Sequence, residues 1–195
     1  MAEGPLTAEQ ILQASEDVLR RYGPAKATVV DVARELDVSH GSVYRHYPSK
    51  AALRDAVAAG WLADVSEPLA KVADGKGAAP RRLRRWLDQL VESKQSRARD
   101  DPELFATYVE IASESREVIT EHVAELVGQL TRIIEDGVEE GAFVTRDPAA
   151  SARAVFDATA RFHNPANSAQ WVTPGIEAEY KQVVELVLAG LATAN

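Results

Sequence analysis

Helix-start signals recur along the whole chain, and they restrict its fold more than any other feature. Thr7 and Gln10 have the spacing of a capping box. Thr28 precedes a short apolar run with Asp31 in what would be a first turn, where a carboxylate favours the helix dipole. Ser39 and Ser49 stand at two further starts. Asp101-Pro102 and Asp147-Pro148 each place a capping carboxylate before proline, the residue that can open a helix without its N–H. Between these signals apolar residues fall three and four apart, and no run alternates as a half-buried strand would. The chain predicts an all-α fold of about nine helices.

Taken in order, the first helix covers about 7–22, with Ile11, Ser15, Val18 and Tyr22 on one stripe and Gly23-Pro24 as its stop. Short helices follow over 28–36 and 39–47, separated by a turn at Asp37-Val38 and closed by Pro48. The fourth carries Leu53, Val57, Trp61 and Val65, and Pro68 is expected to kink or end it. After the flexible connector DGKGAAP (74–80) come a helix over 80–98, one from Pro102, and a long amphipathic segment over 115–139 that EEGAF closes. An eighth helix reads through PAASARAVFDATARF, HNPANSAQWVTPG is loop-like, and the last helix begins near Thr173-Pro174.

At 195 residues, with 46% hydrophobic and 27% charged residues, the chain is long enough and ordinary enough in composition to bury a real core. It has no cysteine, which excludes disulfides, thiolate metal sites and a cysteine nucleophile. MAEGPLTAEQ lacks the basic and apolar regions of a signal peptide, and no apolar run approaches the ~20 residues of a membrane span, so a cytoplasmic location with no membrane partner is expected. Net charge is −8, yet residues 18–54 carry seven Lys/Arg against three acids, a surplus of four positive charges. A weakly basic segment is thus attached to an acidic body.

The two short helices around a tight turn have the form of a helix-turn-helix, in which the second helix can lie in a major groove of DNA. In VSHGSVYRHYPSK (38–50), Val38, Val43 and Tyr47 are spaced to face inward, leaving Ser39, His40, Gly41, Ser42, Tyr44, Arg45 and His46 outward or near the helix start. Arg45 can pair with guanine O6 and N7, His40 and Ser42 can reach base edges, and Gly41 allows close approach. Tyr44 can donate its hydroxyl to a phosphate, and Thr28 and Lys50 stand at helix starts suited to phosphates. These nine residues, Tyr47 and Val38 aside, form the candidate DNA-binding set.

The segment TVVDVARELDVSHGSVYRHYPSKAALRDAV resembles the DNA-binding region of the tetracycline-repressor (TetR) family of bacterial regulators. The likeness rests on Ala33 and Leu36-x-Val38, on Ser39-x-Gly41-Ser42-Val43-Tyr44, and on Tyr47-x-x-Lys50-x-x-Leu53, and it is close over residues 7–57. Tyr44 matches the family's phosphate-contacting tyrosine and Lys50 the lysine that opens its fourth helix; Tyr47 departs from the usual Phe. The resemblance implies an N-terminal DNA-binding domain (1–52) and a C-terminal ligand-binding and dimerisation domain (53–195). It also implies a homodimer joined by its two C-terminal helices in a four-helix bundle. Geometry asks for a dimer too, because two recognition helices held ~34 Å apart read a palindrome that one cannot.

The expected function is a dimeric, ligand-responsive transcriptional regulator, a repressor released from a palindromic operator on double-stranded DNA by a small-molecule effector. The alternative is a helical small-molecule carrier without specific DNA binding. Trp86, Phe105, Tyr108, Phe156, Phe162, His163 and Trp171 are the candidate ligand-binding residues, as aromatics able to enclose an apolar molecule and a histidine able to sit at its mouth. His122 and His163 lack metal-ligand spacing, and no nucleophile elbow, phosphate loop or dinucleotide fingerprint is present. No metal, cofactor or enzymatic activity is expected. RRLRR (81–85), interleaved with Leu83 and Trp86, reads as a solvated helix face.

Overall fold

The computed structural model describes residues 6–192, so the first five residues of MAEGPLTAEQ lie outside the described part. Thr7 caps α1 (Ala8–Tyr22) through the expected box: its hydroxyl accepts from the Gln10 N–H, and the Gln10 side chain accepts from the Thr7 N–H. Thr28 and Asp31 do the same for α2 (Val29–Glu35). Ser39 caps α3 (His40–His46), and Ser49 accepts from Ala52 at the start of α4 (Lys50–Ala73). Then come α5 (Ala79–Asp100), α6 (Pro102–Glu114), α7 (Arg116–Glu139), α8 (Pro148–Ala158), the single-turn α9 (Ala160–His163), a 3-10 helix η1 (Pro165–Gln170) and α10 (Ile176–Leu191). Among the described residues there is no strand, only an isolated bridge between Phe143 and Ala192. The fold is all-α, and among the described residues nine helices have seven residues or more.

The chain forms two compact units. The first comprises the residues up to Ala63 together with Asp101–Thr120; the second comprises Asp64–Asp100 and the residues from Glu121 onward. Both α4 and α7 contribute residues to each.

The first unit is built on α1, α2 and α3, with the start of α4 and with α6 against α1. Its core joins Ile11, Ala14 and Val18 of α1 to Val29, Val32 and Ala33 of α2, Val43 of α3 and Leu53 of α4. Between α2 and α3 the chain reverses at Asp37, whose φ of 53° is left-handed. Asp bears that conformation better than most side chains do. The Val38 N–H then donates to the Ala33 carbonyl (2.9 Å), closing the end of α2.

The second unit packs the later part of α4 with α5, α7, α8 and α10 around Leu69, Leu83, Leu87, Leu130, Ile133 and Ile134. Several buried polar groups within it are matched. The Trp86 indole donates to Gln129 Oε1 (2.9 Å), and the Gln129 amide donates to the Ser66 carbonyl (3.1 Å). Arg82 leaves the solvated face expected of RRLRR: it is buried, donating to the Ala73 carbonyl and to Asp136, both at 2.7 Å. Arg84 keeps to the surface, paired with Glu185.

Three local expectations differ from the outcome. α4 does not end at Pro68 but runs to Ala73. A mid-helix proline costs about 3 kcal/mol, and burial of Leu69, Val72 and Ala73 beyond it offsets that. The eighth helix breaks at Thr159, whose hydroxyl turns back onto the Val155 and Phe156 carbonyls in competition with the backbone ladder. The loop-like segment holds η1, opened by Asn164 accepting from Ala166 just before Pro165, the same grammar as Asp101-Pro102.

At the end of α7 a Cβ on Gly137 would lie 2.1 Å from Cδ2 of the buried Phe143 ring, so only glycine fits there. Gly137→Ala is expected to destabilise the protein by about 1–3 kcal/mol through overpacking, measured as a lower urea midpoint with an unchanged slope.

Candidate nucleic-acid interface

The surface of α3 follows from how little of it is buried. Val43 is 0% exposed, and Val38 and Tyr47 pack partly against the same core. The Tyr47 hydroxyl donates to the Ala8 carbonyl at 3.4 Å, fastening the end of α3 to the start of α1. With that side held inward, His40, Gly41, Tyr44, Arg45 and His46 are exposed and Ser42 is half-buried. Seven residues make barely two turns, so the exposed groups fall close together.

Their hydrogen bonding is local. Ser39 and Ser42 share a bond between hydroxyls (2.9 Å), and Arg45 Nη2 donates to Ser42 Oγ (3.2 Å). The Arg45 guanidinium thus keeps most of its donors for a partner. The His40 and Tyr44 rings meet edge to face, centroids 6.3 Å apart. Around Gly41 an added Cβ would find only Ser39 Oγ, at 3.7 Å, so nothing inside the protein requires glycine there.

The electrostatic setting is less acidic than the composition suggests. Of the three acids in 18–54, Asp31 pairs with Arg34 (2.9 Å) and Glu35 with Arg21 (2.9 Å). The Thr28 hydroxyl donates to Asp31 (2.6 Å) and, with the Thr28 amide and Arg34, holds that carboxyl below its ordinary range. Lys50 is exposed at the first position of α4, whose first turn carries no acid. All nine candidate DNA-binding residues therefore belong to the first unit, and Thr28, Lys50 and the α3 residues other than Ser42 are exposed.

The candidate ligand-binding residues divide between the units. Phe105 and Tyr108 lie in the first with Trp61, which stacks on Tyr108 (4.8 Å) and meets Phe105 at an angle (6.2 Å). Trp86, Phe156, Phe162, His163 and Trp171 lie in the second and are all buried. Phe156 is 4.7 Å from the His163 ring, Phe162 meets Tyr180, and the Trp171 indole donates to the Arg161 carbonyl. Two buried basic groups adjoin them in the same unit. Lys94 is lowered to about 8 by burial and by Arg97, and His122 to about 3 by burial and by Lys94. His163 is lowered to about 4, chiefly by burial, although it lies 3.3 Å from both the Phe156 carbonyl and the Thr159 hydroxyl.

The first unit also contains a half-open cavity of about 320 Å³ that sequence reasoning missed. α1, α2, α4 and α6 line it, with Val18, Val32, Leu53, Val57 and Ile111 among its apolar residues and Thr28, Lys50 and Arg54 among its polar ones. Only the return of α6 onto α1 completes it, a contact between segments some ninety residues apart that no local pattern encodes. Among the described residues no cluster of His, Asp or Glu is placed to hold a metal, and no helix is long and apolar enough to cross a membrane.

Comparison with known proteins agrees with this geometry. A family model described as bacterial regulatory proteins of the tetR family matches residues 11–57, and one described as a tetracyclin repressor-like C-terminal domain matches residues 79–184. Among solved structures the chain is similar to SmeT, the repressor of the Stenotrophomonas maltophilia multidrug efflux pump SmeDEF. The TM-score is 0.70 at 16% identity, covering 97% of this chain and 92% of that one. A TetR transcription regulator from Haloarcula marismortui gives 0.64 at 22% identity, covering 93% and 92%. FadR from Bacillus subtilis, in complex with stearoyl-CoA, gives 0.62 at 18%, covering 95% and 100%. At these identities the likeness is one of fold. No curated protein matches the chain in sequence.

The depressed histidines set a pH dependence. An unfolded histidine titrates near pH 6.5, whereas His163 and His122 stay neutral in the folded chain down to about 4 and about 3. Their contribution is complete above pH 6.5 and is lost as pH falls towards those values, because the unfolded state then binds more protons. Each histidine should remove up to about 1.4 kcal/mol per pH unit below pH 6. Urea midpoints at pH 7, 6 and 5 should fall in step, and His122→Leu should flatten the trend.

Proposed function

The chain belongs to the tetracycline-repressor (TetR) family, a transcriptional regulator with DNA-binding and ligand-binding domains, and from that premise we propose a homodimer that represses from a palindromic operator until a small molecule releases it. The observation that carries this is the division of α3: Val43 enclosed, and a continuous polar face of His40, Gly41, Tyr44, Arg45 and His46 left outside. A helix of this length serves a major groove well and a hydrophobic core poorly. In this reading Arg45 reads guanine, His40 and Ser42 touch base edges, and Gly41 gives the helix start close approach. Ser39 and His46 border the same face, and Thr28, Tyr44 and Lys50 hold phosphates.

Residues 1–52 carry DNA binding in this proposal, and 53–195 carry effector binding and dimerisation. The exposed side of α10 presents Leu186, and that of α8 presents Ala150, Ala154 and Ala158. Small residues let helices approach closely, and an exposed leucine beside them suits a helix-to-helix interface. The effector occupies the C-terminal domain, where Trp86, Phe156, Phe162, His163 and Trp171 supply buried aromatic surface within the second unit; Phe105 and Tyr108 are buried in the first. It acts by binding the DNA-free state more tightly, shifting α4 and with it the separation of the two recognition helices. A hundredfold release of operator needs about 2.7 kcal/mol of such differential affinity.

Two substitutions test the reading, with binding followed by fluorescence anisotropy on a selected operator and on random duplex. Arg45→Ala should lose roughly 1–3 kcal/mol on the operator and much less on random DNA; an equal loss on both rejects base readout. Lys50→Ala should weaken binding to every sequence and reduce the slope of log K against log salt by about one phosphate equivalent. An unchanged slope removes Lys50 from the phosphate set.

A further inference from the structure

The cavity in the first unit borders the part of the chain assigned to DNA, and two of its lining residues, Thr28 and Lys50, belong to the proposed phosphate contacts. We infer that it is a second effector site, which takes a small apolar molecule bearing one anionic group and excludes DNA by occupying Thr28 and Lys50 directly. This differs from the proposed C-terminal mechanism, in which effector and operator occupy separate places and communicate through α4.

Size and lining define the ligand. About 320 Å³ lies at the lower end of the roughly 300–1,000 Å³ range of small-molecule sites. Val18, Val32, Leu53, Val57 and Ile111 make most of the wall apolar, so an aliphatic chain or a single ring gains by entering. The charged lining sets the polar end. Glu114 is held by Arg54, which leaves Lys50 and Glu110 without an ion-pair partner among the described residues. Lys50 also opens the 24-residue helix α4, whose first turn carries no acid, so its positive charge and the helix dipole act together on one side of the cavity. A carboxylate placed there meets the same chemistry as a DNA phosphate, and Lys50 cannot serve both. Glu110, exposed on α6, limits the ligand to a single negative charge.

The test uses the full chain and three probes of one shape: octanoate, octanol and octylammonium. Isothermal titration should show octanoate binding, with octanol about tenfold weaker for want of one charge-assisted contact and octylammonium weaker still. Ala25 is exposed and lines the cavity, so Ala25→Trp fills it and should abolish octanoate binding. Lys50→Met, at an exposed site with little effect on folding, should bring octanoate down to the level of octanol and leave octanol unchanged. It carries the test should Ala25→Trp melt abnormally. Octanoate should also displace operator from the native protein. Binding indifferent to both substitutions, octylammonium binding as tightly as octanoate, or no binding of any probe overturns the site. Octanoate and operator bound together overturn the exclusion. The inference uses the DNA-binding reading of α3 for its consequence, whereas the titrations do not. Octanoate bound here by a protein that ignores DNA would sink that reading alone, and operator binding without octanoate binding would sink the site alone.

Discussion

Val43 is the residue on which the functional surface turns. It is the single fully buried side chain in a helix of seven, held among Ile11, Val18, Val29, Val32 and Leu53. Burying one aliphatic side chain is worth roughly 1.5–3 kcal/mol, and here it also fixes the rotation of α3 about its axis. Once Val43 is inside, Gly41 and Arg45, each two residues or about 200° away, are carried to the opposite side. Asp37 and the cap at Ser39 set where that rotation begins. The polar face of α3 is thus a consequence of packing behind it, and a change in the core of α1 or α2 would re-aim α3 without touching it.

The second unit solves a different problem. Its core encloses Arg82, Lys94, His122, Gln129, Thr159 and His163 among large apolar side chains. Arg82 and Gln129 are secured by specific bonds to Asp136, Trp86 and backbone carbonyls. The histidines are accommodated by remaining neutral. A buried polar group that is not matched in one of these ways costs more than a hydrophobic replacement would gain.

Much of this was legible in the chain because helix signals are local. Thr7, Thr28, Ser39, Ser49, Asp101 and Asp147 all cap where their spacing says they should, and the exposed side of α3 follows from the alternation of Val38, Val43 and Tyr47 with polar residues. Asn164-Pro165 carried the same signal and was passed over, because the stretch around it lacks an apolar stripe. Pro68 does not end α4, since its local cost is offset by burial of Leu69, Val72 and Ala73 just beyond it. RRLRR was read by its neighbours in sequence, whereas Arg82 is governed by Asp136, fifty-four positions away. Six candidate ligand residues could be chosen as aromatics and a seventh as a histidine, but spacing along a chain does not say which side chains share a unit.

The sequence by itself determined the helices, their caps, the helix-turn-helix and the side of α3 that faces outward. Each depends on hydrogen bonds and apolar contacts among residues within a few turns of one another. The tertiary structure alone decided that α6 joins the N-terminal helices and that a cavity opens beside Lys50. It alone decided, too, that Arg82 and two histidines are enclosed. Those outcomes depend on which distant apolar faces cover one another, and a helix carries the period of its own face with no mark of the face that will meet it.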